Sequence, residues 1–177
     1  DSVGLRVPSD SIALALIQEF EKISESAIAA PSANRFGQVS PTSSADVQEE
    51  LGEYLSRFDL VLDGGNSVIG IESTIIDCTG SGPIILRPGF ITREDIESIT
   101  GNLDAGQVSP SEIKFSGSFE KHYAPNCKIL VNGPEVEGAG FLALSDIETP
   151  RGMLRLASPK TVEEFARILY SIFRSAD

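Results

Sequence analysis

Ile12, Leu16, Ile17 and Phe20 recur at helical spacing, and Pro8-Ser9-Asp10 just before them carries helix-start chemistry. The pattern predicts an amphipathic helix over 10–22. Val47, Leu51 and Leu55 share a face and predict a second helix over 45–55. A third is expected over 93–100, capped by Thr92 and ended by Gly101. A fourth opens at Thr161-x-x-Glu164 and carries Val162, Phe165, Ala166, Leu169 and Phe173. Short apolar runs between turn residues predict strands at 3–7, 27–30, 59–63, 70–78, 84–87, 127–131 and 140–144. Residues 101–121 are weakly patterned and rich in Gly, Ser, Asn, Gln and charge, as expected of a connection between domains or a functional loop. The chain opens on what reads as a strand under way and stops after a strand–helix unit without closing strands. Further sequence is therefore expected at both ends.

Composition narrows the function classes. A length of 177 residues with 41% hydrophobic content suffices for one core, or one core plus a small second unit. The net charge of -12 disfavours a broad phosphate-backbone surface, so an anionic ligand must be held by a few placed cations. No stretch is long and apolar enough for a membrane span, and no signal-peptide pattern opens the chain. Cys78 and Cys127 form no C-x-x-C pair and are expected to be buried, reduced thiols in a cytoplasmic protein.

Five segments place special residues where a plain core would not. Arg6 lies inside the apolar run Leu5-Arg6-Val7-Pro8, which is costly unless it faces an anion, pairs with a carboxylate or reaches solvent from an edge. Ala29-Ala30-Pro31-Ser32-Ala33-Asn34, with Gly37 and Ser40-Pro41-Thr42, offers small residues and hydroxyl donors that let a ligand approach the backbone; a capped turn would use the same residues. Gly70-Ile71-Glu72-Ser73-Thr74-Ile75 sets hydroxyls in a β-branched run. Leu86-Arg87-Pro88-Gly89 ends an apolar strand on a cation. His122-Tyr123-Ala124-Pro125 holds the lone histidine, a residue more often structural than catalytic when it stands alone. No spacing suits a metal cluster, a Ser-His-Asp arrangement or a G-x-x-x-x-G-K-[ST] loop.

Taken together and in this order, L-R-V-P, A-A-P-S-A-N, S-P-T, G-x-E-S-T-I, L-R-P-G and H-Y-A-P resemble the YrdC-like L-threonylcarbamoyladenylate synthases over nearly the whole chain. The resemblance implies an α/β fold. It would be an open twisted YrdC-like sheet, of which only the C-terminal half is here, followed by a linker and a partial small α/β domain. The expected boundaries are 1–100 for the YrdC-like catalytic part, 101–125 for the linker and 126–177 for the C-terminal domain. It implies a nucleotidyltransferase that condenses L-threonine, bicarbonate and ATP to threonylcarbamoyl-AMP and pyrophosphate. The product would pass to tRNA-modifying transferase proteins for threonylcarbamoylation at position 37 of tRNA. Mg²⁺ is expected to arrive with ATP.

Residue roles carry over from the resemblance. Arg6, Ala30 and Ser73 correspond to L-threonine ligands. Ser32, Asn34, Ser40, Arg87 and Tyr123 correspond to ATP ligands, with Arg87 near the phosphates and Tyr123 closing over the nucleotide. No side chain is assigned as nucleophile or base, because the threonine carbamate oxygen that attacks phosphorus is already negative. The family's Lys/Arg-rich phosphate-binding segment has no counterpart among these 177 residues, and the run before H-Y-A-P departs from the family's S-P-G pattern. Residues 1–177 alone are therefore expected not to turn over. Two other readings remain at this stage: a double-stranded RNA or nucleotide-binding module without turnover, and a carbamoyl-phosphate chemistry like that of hydrogenase-maturation proteins.

Overall fold

The structure is a computed structural model that describes residues 2–103 and 123–177. It divides into two compact units, Asp1–Ser32 and Ala33–Asp177.

The first unit is built on one helix, α1 (Ser11–Glu21). Asp10 caps it as its position suggests: its carboxylate accepts from the amides of Ile12 at 3.0 Å and Ala13 at 2.9 Å. The strands expected at 3–7 and 27–30 are absent, and both segments are irregular. Val3, Leu5 and Val7 are 80%, 86% and 93% exposed. An apolar run becomes a strand only when a neighbour completes its ladder, and no described residue does so here.

In the second unit, α2 (Ser44–Leu51) runs into a 3-10 turn (Gly52–Tyr54), close to the predicted 45–55. Ser43 and Asp46 form a reciprocal cap, Ser43 Oγ accepting from the Asp46 amide and Asp46 Oδ2 from the Ser43 amide. β1 (Ile75–Asp77) and β2 (Ile84–Arg87) make an antiparallel hairpin, with Ile75 opposite Arg87 and a bulge between Ile75 and Ile76. α3 (Arg93–Thr100) is capped by Thr92 and closed by Gly101 at φ 79°, both where expected, and Asp95 completes a reciprocal cap with Thr92. β3 (Gly140–Leu142) pairs in parallel with β4 (Leu154–Ala157). β4 is a strand the pattern does not predict. Its run Leu154-Arg155-Leu156-Ala157 is largely apolar, but the two leucines are its exposed positions and Arg155 is half-buried, the reverse of the usual alternation. The Arg155 guanidinium donates to the carbonyls of Ala143, Leu144 and Ile147, tying the β3–β4 connection together.

α4 (Val162–Ala176) is the longest helix described, capped by Thr161. The Glu164 carboxylate reaches back to the Lys160 amide at 2.7 Å. The strands expected at 59–63 and 127–131 are irregular, and the one expected over 70–78 shortens to Ile75–Asp77. Val39, Ile96 and Leu103 are the buried apolar side chains among the described residues. Cys78 and Cys127 are free, but neither is buried: Cys78 is exposed and Cys127 half-buried. Of the predicted linker, residues 104–122 lie outside the described residues, and His122 with them.

Candidate functional site

Residues 70–74 enter no ladder, and an arginine side chain takes one of their carbonyls instead. The Ser73 carbonyl accepts from Arg87 Nε at 3.0 Å and from Nη2 at 2.8 Å. The Thr74 hydroxyl donates to the Ile91 carbonyl at 2.6 Å. Gly89 lies so close that a Cβ there would run into the backbone of Glu72, Ser73 and Thr74. Proline and glycine after Arg87 thus fold the end of β2 back across the G-I-E-S-T segment, and Arg87 is clamped onto it.

Around this clamp the candidate residues of the second unit converge. Arg87 Nη2 donates to Ser73 Oγ at 3.1 Å and lies 3.4 Å from Glu72 Oε2. Glu72 Oε1 in turn accepts from the Ser40 hydroxyl at 2.6 Å. Arg87 Nη1 donates to Tyr123 Oη at 3.2 Å, and its guanidinium carbon is 5.9 Å from the centroid of the Tyr123 ring. Ser40, Ser73, Arg87 and Tyr123, distant in sequence, form one polar cluster centred on Arg87, with Glu72 linking Ser40 to it.

Asn34 serves this cluster from beside it. Its amide nitrogen donates to the carbonyls of Arg35 and Gln38, bracing the loop that contains Gly37. The Gly37 carbonyl accepts from the Ala124 amide at 3.2 Å, which anchors the chain next to Tyr123. Tyr123 itself sits at φ 56°, a left-handed conformation uncommon for a non-glycine residue and costly unless its surroundings enforce it. Arg6, Ala30 and Ser32 belong to the first unit, in irregular and exposed segments.

Two members of the cluster were not singled out from the sequence. Glu72 stands within the quoted motif, and an acid between β-branched residues calls for a partner as strongly as an arginine does. Tyr170, on α4, carries no such signal because an aromatic on a helix face reads as core. Its ring stacks on Tyr123 with centroids 6.3 Å apart, and Phe173 stacks behind it at 6.5 Å.

Burial, with the charge of Glu72 and the neighbouring Tyr123, pushes the Tyr170 hydroxyl up to about 12 despite the opposing pull of Arg87. The folded pKa exceeds the unfolded value of about 10, so this group's contribution to stability is complete below about pH 10 and is lost as pH rises through about 12. Spectrophotometric titration should find one of the three tyrosines ionising near 12, and Tyr170→Phe should remove that step. A titration unchanged by the substitution would assign the late proton elsewhere.

The cluster offers a cation clamped to a carbonyl, a carboxylate and two hydroxyls, with an aromatic ring alongside. Its one hydroxyl–carboxylate pair, Ser40 and Glu72, is also engaged by the Arg87 guanidinium. Such an arrangement can bind and orient anions and stabilise charge.

Residues 1–89 match the Sua5/YciO/YrdC family described as "Telomere recombination". The chain belongs to this family. Residues 91–177 match the family described as "Threonylcarbamoyl-AMP synthase, C-terminal domain". The threonylcarbamoyl-AMP synthase of Pyrococcus abyssi is 40% identical over 200 residues, covering 100% of this chain and 56% of that protein. The Bacillus subtilis protein of the same name is 40% identical over 134 residues, covering 74% of this chain and 37% of its own length. The crystal structure of P. abyssi Sua5 complexed with L-threonine superposes with a TM-score of 0.75 at 33% identity, over 97% of this chain and 54% of that one. The α/β fold expected from the YrdC-like resemblance is the one found. The chain spans about half the length of the P. abyssi relative and less of the B. subtilis one. No helix among the described residues is long and apolar enough to cross a membrane.

Proposed function

We propose that this chain carries part of the catalytic site of an L-threonylcarbamoyladenylate synthase, an enzyme that forms threonylcarbamoyl-AMP and pyrophosphate from L-threonine, bicarbonate and ATP. The observation that carries the reading is the contact between Arg87 and Ser73. One corresponds to a phosphate ligand and the other to a threonine ligand in the family. A hydrogen bond between them supports a reading in which the two subsites lie side by side, as a reaction between the two substrates requires. The relative crystallised with L-threonine supports the amino-acid half of the site.

In this reading an oxygen of threonine carbamate attacks the α-phosphorus of ATP. The bond between that phosphorus and the oxygen bridging to the β-phosphate breaks, and pyrophosphate leaves. Because the attacking oxygen is already anionic, no side chain need remove a proton from it. Arg87 stabilises the phosphoryl charge. Ser73 accepts from Arg87 through its hydroxyl oxygen, which keeps the hydroxyl proton for the amino-acid substrate. Ser40 and Asn34 serve ATP, and Tyr123 covers the nucleotide. Arg6 and Ala30 keep the threonine-binding role, and Ser32 the ATP-binding role, that the family resemblance implies. Glu72 is engaged by Ser40 and Arg87, so protein ligands for Mg²⁺ would be few and phosphate oxygens would hold it. The ion would neutralise phosphate charge. The product would pass to tRNA-modifying transferases, in the cytoplasm.

The test is pyrophosphate release, measured on the protein at its natural length and on residues 1–177 alone. Release that requires ATP, threonine and bicarbonate together supports the reading. ATP cleavage indifferent to threonine, or turnover that needs carbamoyl phosphate, overturns it.

A further inference from the structure

The loop that presents Ser40 is held from behind by α4. Three residues spaced along one face of this helix meet the site segments. At Arg167 the helix backbone lies against Gly70, where a Cβ would collide with the Arg167 carbonyl. One turn on, Tyr170 stacks on Tyr123. A further turn on, Arg174 reaches the other side of the cluster.

Arg174 Nη1 donates to the Val39 carbonyl at 3.2 Å, immediately before Ser40. The same guanidinium lies 3.7 Å from Asp46 Oδ1, 3.5 Å from Glu50 Oε2 and 3.2 Å from Glu49 Oε2. Asp46 Oδ2 accepts from the Thr42 amide at 2.8 Å, the Thr42 hydroxyl at 3.0 Å and the Ser43 amide at 3.0 Å. Glu50 Oε1 accepts from the amide and Nε of Arg35, both at 3.1 Å. The loop 39–43 is thereby fixed at both ends by one charged cluster. Val39, Thr42 and Glu50 are buried, 2%, 8% and 7% exposed. Burial pushes the Asp46 and Glu50 carboxyls up. The hydrogen bonds from Thr42 and Ser43 to one and from Arg35 to the other, with the charge of Arg174, outweigh burial and hold both below the ordinary carboxylate range. Both therefore stay ionised to face the guanidinium.

We propose that Arg174 is a positioning residue for nucleotide binding: it sets the Val39–Thr42 loop so that the Ser40 hydroxyl faces the Arg87–Glu72 clamp. The inference rests on the reading of Ser40 as an ATP ligand. It makes the C-terminal helix part of the nucleotide site although no α4 residue need touch the nucleotide.

The experiment compares wild type, Arg174→Met and Arg174→Lys in the protein at its natural length. It measures steady-state kinetics and hydrogen exchange of the segment 38–43, with circular dichroism as the check on folding. Arg174→Met should raise KM for ATP about tenfold, the size of one lost hydrogen bond, and change kcat less than KM. The exchange of segment 38–43 should quicken. Arg174→Lys, which keeps the charge but not the fork, should fall between. Folded variants with wild-type KM for ATP overturn the proposal, whether or not exchange changes, because the arginine would then only brace the fold. If Arg174→Met does not fold, Arg174→Lys alone decides by the same criterion. A wild-type protein that ignores ATP sinks the functional reading itself, and is told apart from a failed positioning role by that control.

Discussion

Arg87→Met should lower kcat/KM for threonylcarbamoyl-AMP formation by roughly 10²–10³-fold, the usual effect of removing one preorganised charge-stabilising donor. The reason is specific to the clamp. Arg87 is held by the Ser73 carbonyl, Glu72 and Tyr123 before any substrate arrives, so little reorganisation is needed when phosphoryl charge develops. The substitution also strands Glu72. Its side chain is 20% exposed and loses its guanidinium partner, which should cost about 1–3 kcal/mol once partial solvent screening is allowed for. The two effects separate in a double variant. Glu72→Gln with Arg87→Met should recover much of the stability, because no charge is left unpaired, and none of the activity. Turnover by Arg87→Met within a few-fold of wild type would show that Arg87 is a structural ion pair and not a phosphate ligand.

How far the sequence announces this depends on whether a feature is local. α1, α3 and α4 begin at Asp10, Thr92 and Thr161, where a capping side chain stands beside an apolar period of the right length, and local chemistry alone decides such ends. Strands are different. The runs at 3–7, 27–30, 59–63 and 127–131 have the composition of strands, yet a ladder needs a partner that the run itself does not name. The segment 70–74 shows what replaces a partner: its carbonyl at Ser73 is taken by Arg87, and its backbone is approached by Gly89 too closely for another strand.

The site divides along the same line. Ser40, Ser73, Arg87 and Tyr123 are visible because each stands in a motif. Glu72 was open to the argument already applied to Arg6, that a charge inside an apolar run must find a counter-charge. Applied to both Glu72 and Arg87, it would have paired them. Tyr170 and Arg174 lie on a helix whose periodicity explains them as core and as a basic residue in the last turn. Only their three-dimensional neighbours, Tyr123 and the Val39 carbonyl, give them a second role.

Gly89→Ala tests the geometry that joins these parts. A Cβ at Gly89 would stand about 2.5 Å from the Glu72 carbonyl oxygen and the Ser73 carbonyl carbon, and closer still to the Thr74 amide. All three are backbone atoms, so no side chain can swing aside, and β2's exit must move off the G-I-E-S-T segment. Overpacking of this kind costs about 3 kcal/mol, which for a chain of this size lowers Tm by roughly 6–12 °C. Gly101→Ala is the informative comparison. Gly101 has φ 79° and ψ -174°, a conformation essentially reserved for glycine, but nothing within reach of a Cβ, so backbone strain alone is added, about 1–3 kcal/mol. The two glycines can therefore cost similar amounts by thermal melting. They should differ more in function, since moving Gly89 pulls Arg87 away from Ser73 whereas Gly101 only closes α3. Gly89→Ala with the melting temperature of wild type would mean that β2's exit and the segment 72–74 are not in van der Waals contact. Arg87 would then owe its place to Glu72 and Tyr123 more than to the Ser73 carbonyl.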